Sequence, residues 1–276
     1  MITTLPIQNR EKLHLRKIKS RYTDCLNEIL NTSDDENAST EAVHELRVNL
    51  KRVDALLALL AFSKIKIPHT GLKAFKALFR TAGKLRAIQV EFDIINKYFD
   101  NDSLNPNYLH QLHEAKVKRR EQYSAFLEAG PSRSLKQGVK LLKKKVDMLT
   151  KKQISRYLKD EKENLWKHLK RSIFREQELH IMRRDLKKYH LNLKITEDAD
   201  LKVETLLELL GEWHDHQIAF DHVVKVIHTG RLTESESEPI KTIKYKLIGD
   251  KEVMYEKIVS FYVQSFQDKS VRLKLA

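Results

Sequence analysis

Two segments of the chain carry cationic side chains in the same order, and these residues have the types and the spacing that anion binding needs. The first is Val43–Arg52 and the second is Leu179–Lys188, and each holds a His-x-x-Arg motif followed by two adjacent basic residues. Arginine forks and lysine ammonium groups satisfy the oxygens of phosphate groups. The candidate binding residues of the two rows are His44, Arg47, Lys51, Arg52, His180, Arg183, Arg184, Lys187 and Lys188.

The spacing of these residues places each row on one side of a helix. Positions i, i+3 and i+7 lie on the same side, which aligns His44, Arg47 and Lys51. Like charges in such a row repel one another, and a ligand of opposite charge would remove that repulsion. The alternative is a solvated helix face with structural histidines. Because the same row occurs twice at matched positions, we interpret it as a binding surface.

A second pair of segments repeats in the same order along the chain. Ala82–Arg86 aligns with Leu210–His214, with an offset close to that of the first pair. Lys84 and Arg86 extend the predicted cationic track, and His214 adds a cation when it is protonated. The two correlated matches predict two related halves, residues 1–129 and residues 130–276, which would pack about a pseudo-two-fold axis.

Amphipathic helices are predicted along most of the chain from the recurrence of apolar residues. Their predicted ranges are about 13–29, 40–62, 72–99, 108–128, 134–150, 154–173, 176–195, 200–228 and 239–267. Ser39 or Thr40 is the predicted N-cap of the second helix, and Gly83 is predicted to weaken or bend the third. Thr233–Glu238 is predicted to be a loop before Pro239. No segment has the alternation of a strand, so the predicted fold class is all-α.

The composition narrows the classes of function. The 276 residues have a formal net charge of +14, and residues 130–194 contain 20 Lys and Arg against 7 Asp and Glu. Concentrated positive charge captures polyanions, which include nucleic acid, an anionic membrane surface or a phosphate polymer. The one cysteine, Cys25, excludes a disulfide framework and favours the cytoplasm. The longest apolar run, Ala55–Phe62, is too short to span a bilayer, and we expect no membrane partner.

At these segments the sequence resembles the CHAD family, the conserved histidine α-helical domains. The family's first hallmark corresponds to VHELRVNLKRV and LHIMRRDLKKY, and its second to AGKLRAIQV and LGEWHDHQI. The second hallmark departs from the family pattern at Ala87, Gln89, His214 and Gln217, so that each half keeps one member of the usual Arg-Asp pair. The resemblance implies two pseudo-symmetric four-helix bundles around a basic central groove or pore.

The resemblance also implies binding of inorganic polyphosphate without an established catalytic activity. Through that binding, it suggests association with polyphosphate granules in the cytoplasm. No stacking or base-reading group is needed for such a ligand, and no cofactor is expected.

Two alternatives stay open beside polyphosphate binding. The basic helices also permit RNA or DNA binding, although the first row has no interleaved aromatic residue and the nearby Tyr189 and Trp213 fit core positions. The second alternative is an enzyme acting on phosphoanhydrides, because CHAD domains often accompany triphosphate tunnel metalloenzymes. Those enzymes are marked by an ExExK strand, which Glu234–Glu238 only approximates. A metal held by His214, Asp215 and His216 is disfavoured because side chains two residues apart on a helix diverge. We therefore predict a binding protein that is not an enzyme.

Overall fold

The computed structural model describes residues 7–33, 39–68, 72–98, 106–130, 132–171, 175–196, 200–228 and 234–266. Within these residues the long regular elements are all α-helices, which confirms the predicted all-α class. They are α1 (Ile7–Ser33), α2 (Thr40–Phe62), α3 (Lys73–Tyr98), α4 (Pro106–Glu128), α5 (Ser132–Asp147), α6 (Lys151–Arg171), α7 (Glu176–Thr196), α8 (Leu201–His228) and α9 (Glu234–Phe266). No helix of the described residues is long and apolar enough to cross a membrane.

Both ends of α2 follow local signals in the sequence. The Ser39 hydroxyl accepts a hydrogen bond from the Ala42 amide at 3.1 Å, which makes Ser39 the N-cap. After Phe62 the chain turns at Lys64, whose φ of 58° is left-handed. The amides of Lys64 and Ile65 donate to the carbonyls of Ala61 and Leu60, the pattern of a Schellman motif. The predicted range of this helix is confirmed.

The start of α9 differs from the prediction. Residues Glu234–Glu238 form helix where a loop was predicted, and Pro239 lies inside the helix. Thr233 lies outside the described residues. A proline removes one backbone hydrogen bond from a helix, whereas carboxylates near the N-terminus interact favourably with the positive end of the helix dipole. Glu238 also pairs with Lys241 at 2.7 Å, one helical turn later.

The chain divides into two compact units. Unit 1 comprises Met1–Gly83, Tyr123–Lys167 and Asp185–Ala199, and unit 2 comprises Lys84–Gln122, His168–Arg184 and Asp200–Ala276. Helices α3, α4, α6 and α7 each contribute residues to both units. That residues 1–129 and 130–276 are related repeats, arranged as pseudo-symmetric bundles around a groove, stays a prediction.

In unit 1 the packing of α1 against α2 and α5 is reinforced by a buried hydrogen-bond network centred on Asn192 of α7. Its side-chain oxygen accepts from the Tyr22 hydroxyl at 2.6 Å. Its amide nitrogen lies 3.2 Å from the Ala55 carbonyl and 3.3 Å from the Tyr157 hydroxyl. The network ties α1, α2, α6 and α7 together. Cys25 lies in the core nearby, and burial raises the pKa of its thiol to about 12.

In unit 2 the main packing is between α8 and α9. Apolar side chains from α3 and α4 complete its core, so that four helices surround one cluster. The buried members are Ile94, Ile95, Tyr108, Leu112, Ala219, Val223, Ile240, Ile243 and Leu247.

Candidate functional site

The first cationic row lies along α2 in unit 1. His44 is exposed, and Arg47, Lys51 and Arg52 are half-buried. The apolar stripe beside them is buried, since Val43, Leu46, Leu50 and Val53 are all at most 3 % exposed. The helix therefore buries its apolar face in unit 1, and its cationic residues occupy the more accessible positions.

Arg47 is held in place by α3. Its guanidinium donates to the Phe79 carbonyl at 3.0 Å and lies 4.8 Å from the centre of the Phe79 ring. Gly83 makes room for this arrangement, because a Cβ at that position would come within 2.6 Å of a guanidinium nitrogen of Arg47. The helix continues through Gly83. The role of this glycine is therefore close packing against Arg47, which the sequence alone did not reveal.

The aligned glycine of the second half has different surroundings. A Cβ at Gly211 would meet no atom within 4 Å. The two glycines occupy the same place in the repeated motif, yet only the first accommodates an arginine side chain. This difference provides a matched pair of positions for substitution.

Lys187 and Lys188, at the end of the second row, belong to unit 1 and are half-buried. The Lys188 ammonium lies 3.1 Å from the Glu161 carboxylate and 5.9 Å from the centre of the Tyr157 ring. Glu161 therefore neutralises part of the charge of this row. Because Glu161 is 27 residues away in the sequence and on another helix, the row pattern contains no signal for it.

The contacts within unit 1 define the relative direction of its helices. Along α6, Gln153 approaches the Ser63 carbonyl, Tyr157 contacts Phe62 and Asn192, and Glu161 binds Lys188. This order makes α6 antiparallel to α2 and also to the part of α7 in unit 1. Helix α2 and that part of α7 therefore run in the same direction. Lys51 precedes Ala55 by one turn, and Lys188 precedes Asn192 by one turn. Lys51 and Lys188 therefore both lie towards the N-terminal side of the contact between Asn192 and Ala55.

In unit 2 the second row begins with a cluster of rings. His180 is half-buried, and its ring centre lies 5.0 Å from that of Trp213 and 5.0 Å from that of His214. The two imidazoles meet edge to face, with an interplanar angle of 84°. The hallmark residues of α7 and α8 thus meet in unit 2. Trp213 is only 2 % exposed, so its predicted core position is confirmed.

Arg183 is half-buried beside Asp215 in unit 2. Desolvation by burial lowers the pKa of its guanidinium, and the negative charge of Asp215 opposes that shift. An arginine remains charged throughout the physiological range, so the site keeps a fixed cation there. Asp215 is the acid of the usual Arg-Asp pair that the second half retains. The aligned residue of the first half is Ala87.

The remaining candidates also lie in unit 2. Lys84 and Arg184 are exposed, and Arg86 is half-buried. The twelve predicted residues are thus divided equally between the units, and their joint action in one site stays a prediction. Within the described residues, no group of three or more His, Cys, Asp or Glu side chains is arranged to hold a metal ion.

Comparisons with known proteins identify related sequences and folds. The model of the CHAD domain family matches residues 21–224. The CHAD domain from the plant Ricinus communis superposes with a TM-score of 0.75 at 14% identity, covering 92% of each chain. PptA from Streptomyces chartreusis superposes with a TM-score of 0.73 at 13% identity, covering 92% of this chain and 99% of that chain. No curated protein sequence shows a significant match.

Proposed function

Because the chain belongs to the CHAD family, a family associated with polyphosphate binding, we propose that it binds inorganic polyphosphate without chemically changing it. The observation that carries this proposal is the doubled His-x-x-Arg row, in which Arg47 is held by the Phe79 carbonyl and Arg183 lies half-buried beside Asp215. Groups that are fixed before binding lose little conformational entropy when the ligand arrives.

The chemistry of the rows matches this ligand. Polyphosphate offers oxygen acceptors and repeated negative charge, with no base edge or ring face to recognise. Arginine and lysine supply only donors, and histidine donates from one ring nitrogen when neutral and from both when protonated. The rows need no further group to bind such a polymer.

The burial of the two aromatic residues in the repeated motifs favours polyphosphate over nucleic acid. Tyr189 and Trp213 are 5 % and 2 % exposed, so neither presents a ring face on which a base could stack.

We also propose that the protein acts in the cytoplasm, where Cys25 would remain reduced. Association with polyphosphate granules would follow from the same binding.

The proposal is tested by titrating the protein with long-chain polyphosphate and with single-stranded RNA of matched charge. We expect polyphosphate to bind at physiological salt and to displace RNA. Its affinity should fall as salt rises, because binding releases counterions and a higher salt concentration makes that release less favourable, as it does for nucleic acids. Equal or tighter binding of the RNA would contradict the proposal. Release of orthophosphate from the polymer, with or without Mg²⁺, would contradict its non-catalytic part.

Replacing Gly83 by alanine should specifically weaken polyphosphate binding. The new Cβ would force the Arg47 guanidinium to move. Displacing one charge-assisted hydrogen bond, worth roughly 1.5–3 kcal/mol, predicts about a tenfold rise in Kd. The helix itself gains, because alanine favours a helix over glycine by about 1 kcal/mol.

The matched control for this substitution is Gly211→Ala, which adds the same methyl group in open space. We expect it to leave Kd unchanged and to raise Tm slightly. Isothermal titration and thermal unfolding of both variants provide the measurements. Equal Kd values for the two variants would show that the contact between Gly83 and Arg47 does not support binding.

A further inference from the structure

Unit 1 contains a cavity that the proposed function does not use. It has a volume of about 370 Å³ and lies between one face of α2 and one face of α3. Leu50, Val53 and Leu57 line it from α2, and Phe75 and Phe79 line it from α3. This volume falls within the range of roughly 300–1,000 Å³ that is typical of small-molecule sites, which also have mainly apolar walls.

The charged side chains that line this cavity are unevenly distributed. Lys76 and Arg80, both exposed, belong to α3, and the exposed Asp54 belongs to α2. Arg80 donates through Nε to the Lys76 carbonyl at 3.3 Å, which keeps its guanidinium close to its own helix. That hydrogen bond uses one of the five donors of the guanidinium. The α3 side thus carries two cations, against one carboxylate on the α2 side.

We propose that this cavity binds an anionic amphiphile, a molecule with a short hydrocarbon chain and a single carboxylate or phosphate head. The hydrocarbon chain would lie among the five apolar side chains, which gain from contact with another apolar surface. The head would lie on the α3 side, between Lys76 and Arg80. A neutral amphiphile would offer no negative charge to Lys76 and Arg80, and a cationic amphiphile would be repelled by them.

This site is chemically distinct from the proposed polyphosphate site. None of the twelve residues predicted to bind polyphosphate lines the cavity. A polyphosphate chain has no apolar part and would gain nothing from the cavity walls. Phe79 is the common element, since its ring lines the cavity and also contacts Arg47. For this reason we leave Phe79 unchanged in the test variants.

Calorimetric titration with decanoate, decanol and decyltrimethylammonium tests the proposal, with the two ionic ligands below their micellar concentrations and decanol below its solubility limit. We expect decanoate to bind most tightly. Lys76→Gln combined with Arg80→Gln should weaken decanoate by about tenfold or more, because charge-assisted hydrogen bonds are lost. Asp54→Asn removes the opposing carboxylate and should strengthen decanoate binding. The polyphosphate affinity of the Lys76→Gln, Arg80→Gln variant should change by less than twofold, which separates failure of this proposal from failure of the proposed function.

A third variant tests whether the cavity itself holds the hydrocarbon chain. Leu57→Trp places a larger side chain at a half-buried wall and should abolish decanoate binding. Circular dichroism and thermal unfolding show whether this variant is folded. If it is not, the Lys76→Gln, Arg80→Gln double variant provides the test, because both of its substitutions are at exposed positions. The proposal is overturned if decanol or decyltrimethylammonium binds as tightly as decanoate. It is also overturned if neither a folded Leu57→Trp variant nor the double glutamine variant weakens decanoate.

Discussion

Replacing Arg47 and Arg183 together by glutamine is expected to weaken polyphosphate binding by about a hundredfold or more. Each arginine would lose charge-assisted hydrogen bonds worth roughly 1.5–3 kcal/mol, and 1.4 kcal/mol corresponds to a factor of ten. Either single variant should show a smaller loss, because a long polymer can shift to neighbouring cations. Asp215 would also lose the positive charge beside it and would then repel the ligand.

Glutamine is preferred to glutamate for this test because of where the two arginines lie. Arg47 is packed on Phe79 and Arg183 is desolvated, so a carboxylate at either position would be partly buried. Such a change could unfold the protein and would obscure the loss of binding. Glutamine removes the positive charge without introducing a negative one, and its amide can still form hydrogen bonds.

The matched control replaces Lys162 and Lys257 by glutamine. These lysines are exposed and lie outside the cationic rows, one in each unit. Because two positive charges are removed in both double variants, the net charge changes by the same amount. We expect the control to alter Kd by less than threefold, as suits exposed and screened charges. Titrations of both variants at one salt concentration make the comparison. If both double variants lose the same affinity, binding depends on overall charge and the assigned residues are wrong.

Replacing Asn192 by leucine is expected to destabilise the protein by roughly 2–5 kcal/mol, since each buried polar group left unsatisfied costs about 1–3 kcal/mol. Leucine has a similar size but cannot accept from the Tyr22 hydroxyl or donate to the Ala55 carbonyl. Each kcal/mol should lower Tm by roughly 2–4 °C. Thermal and urea-induced unfolding provide the measurements.

Two further variants test the network interpretation of Asn192. Adding Tyr22→Phe to Asn192→Leu removes the stranded hydroxyl and should recover part of the lost stability, because removing both partners costs less than removing one. Asn164 is exposed and bonds only locally to Asp160, so Asn164→Leu should change stability by less than about 0.5 kcal/mol. Unchanged unfolding of Asn192→Leu would show that the network does not hold the four helices together.

The helices of unit 1 show why most of the fold could be predicted from the sequence. The spacing of Val43, Leu46, Leu50 and Val53 corresponds to their burial, and Ser39 has the side chain that an N-cap requires. These are short-range patterns, in which one helix carries its own signal. The prediction for the start of α9 is wrong, because proline is common at the start of a helix whereas this helix accommodates Pro239 internally.

The contacts that shape the candidate site could not be predicted, because they join residues far apart in the chain. Arg47 meets Phe79 after 32 residues, and Tyr22 meets Asn192 after 170 residues. Nothing in the local pattern around Gly83 distinguishes it from Gly211, although only Gly83 lies against a guanidinium. The types and order of the cations were therefore predictable, and the partners that orient them were not.

The discontinuous composition of the two units has a consequence for dissecting the protein with truncated genes. No single cut in the backbone separates unit 1 from unit 2, since each is assembled from three stretches of chain. A product ending at Gly130 would keep α1 and α2 but lose α5, and with it the contacts of Lys143 with Asn27 and of Lys19 with Asp147. It would also lose Asn192. Half-length products should therefore be insoluble when made alone and should regain structure only by reassociating with the complementary half.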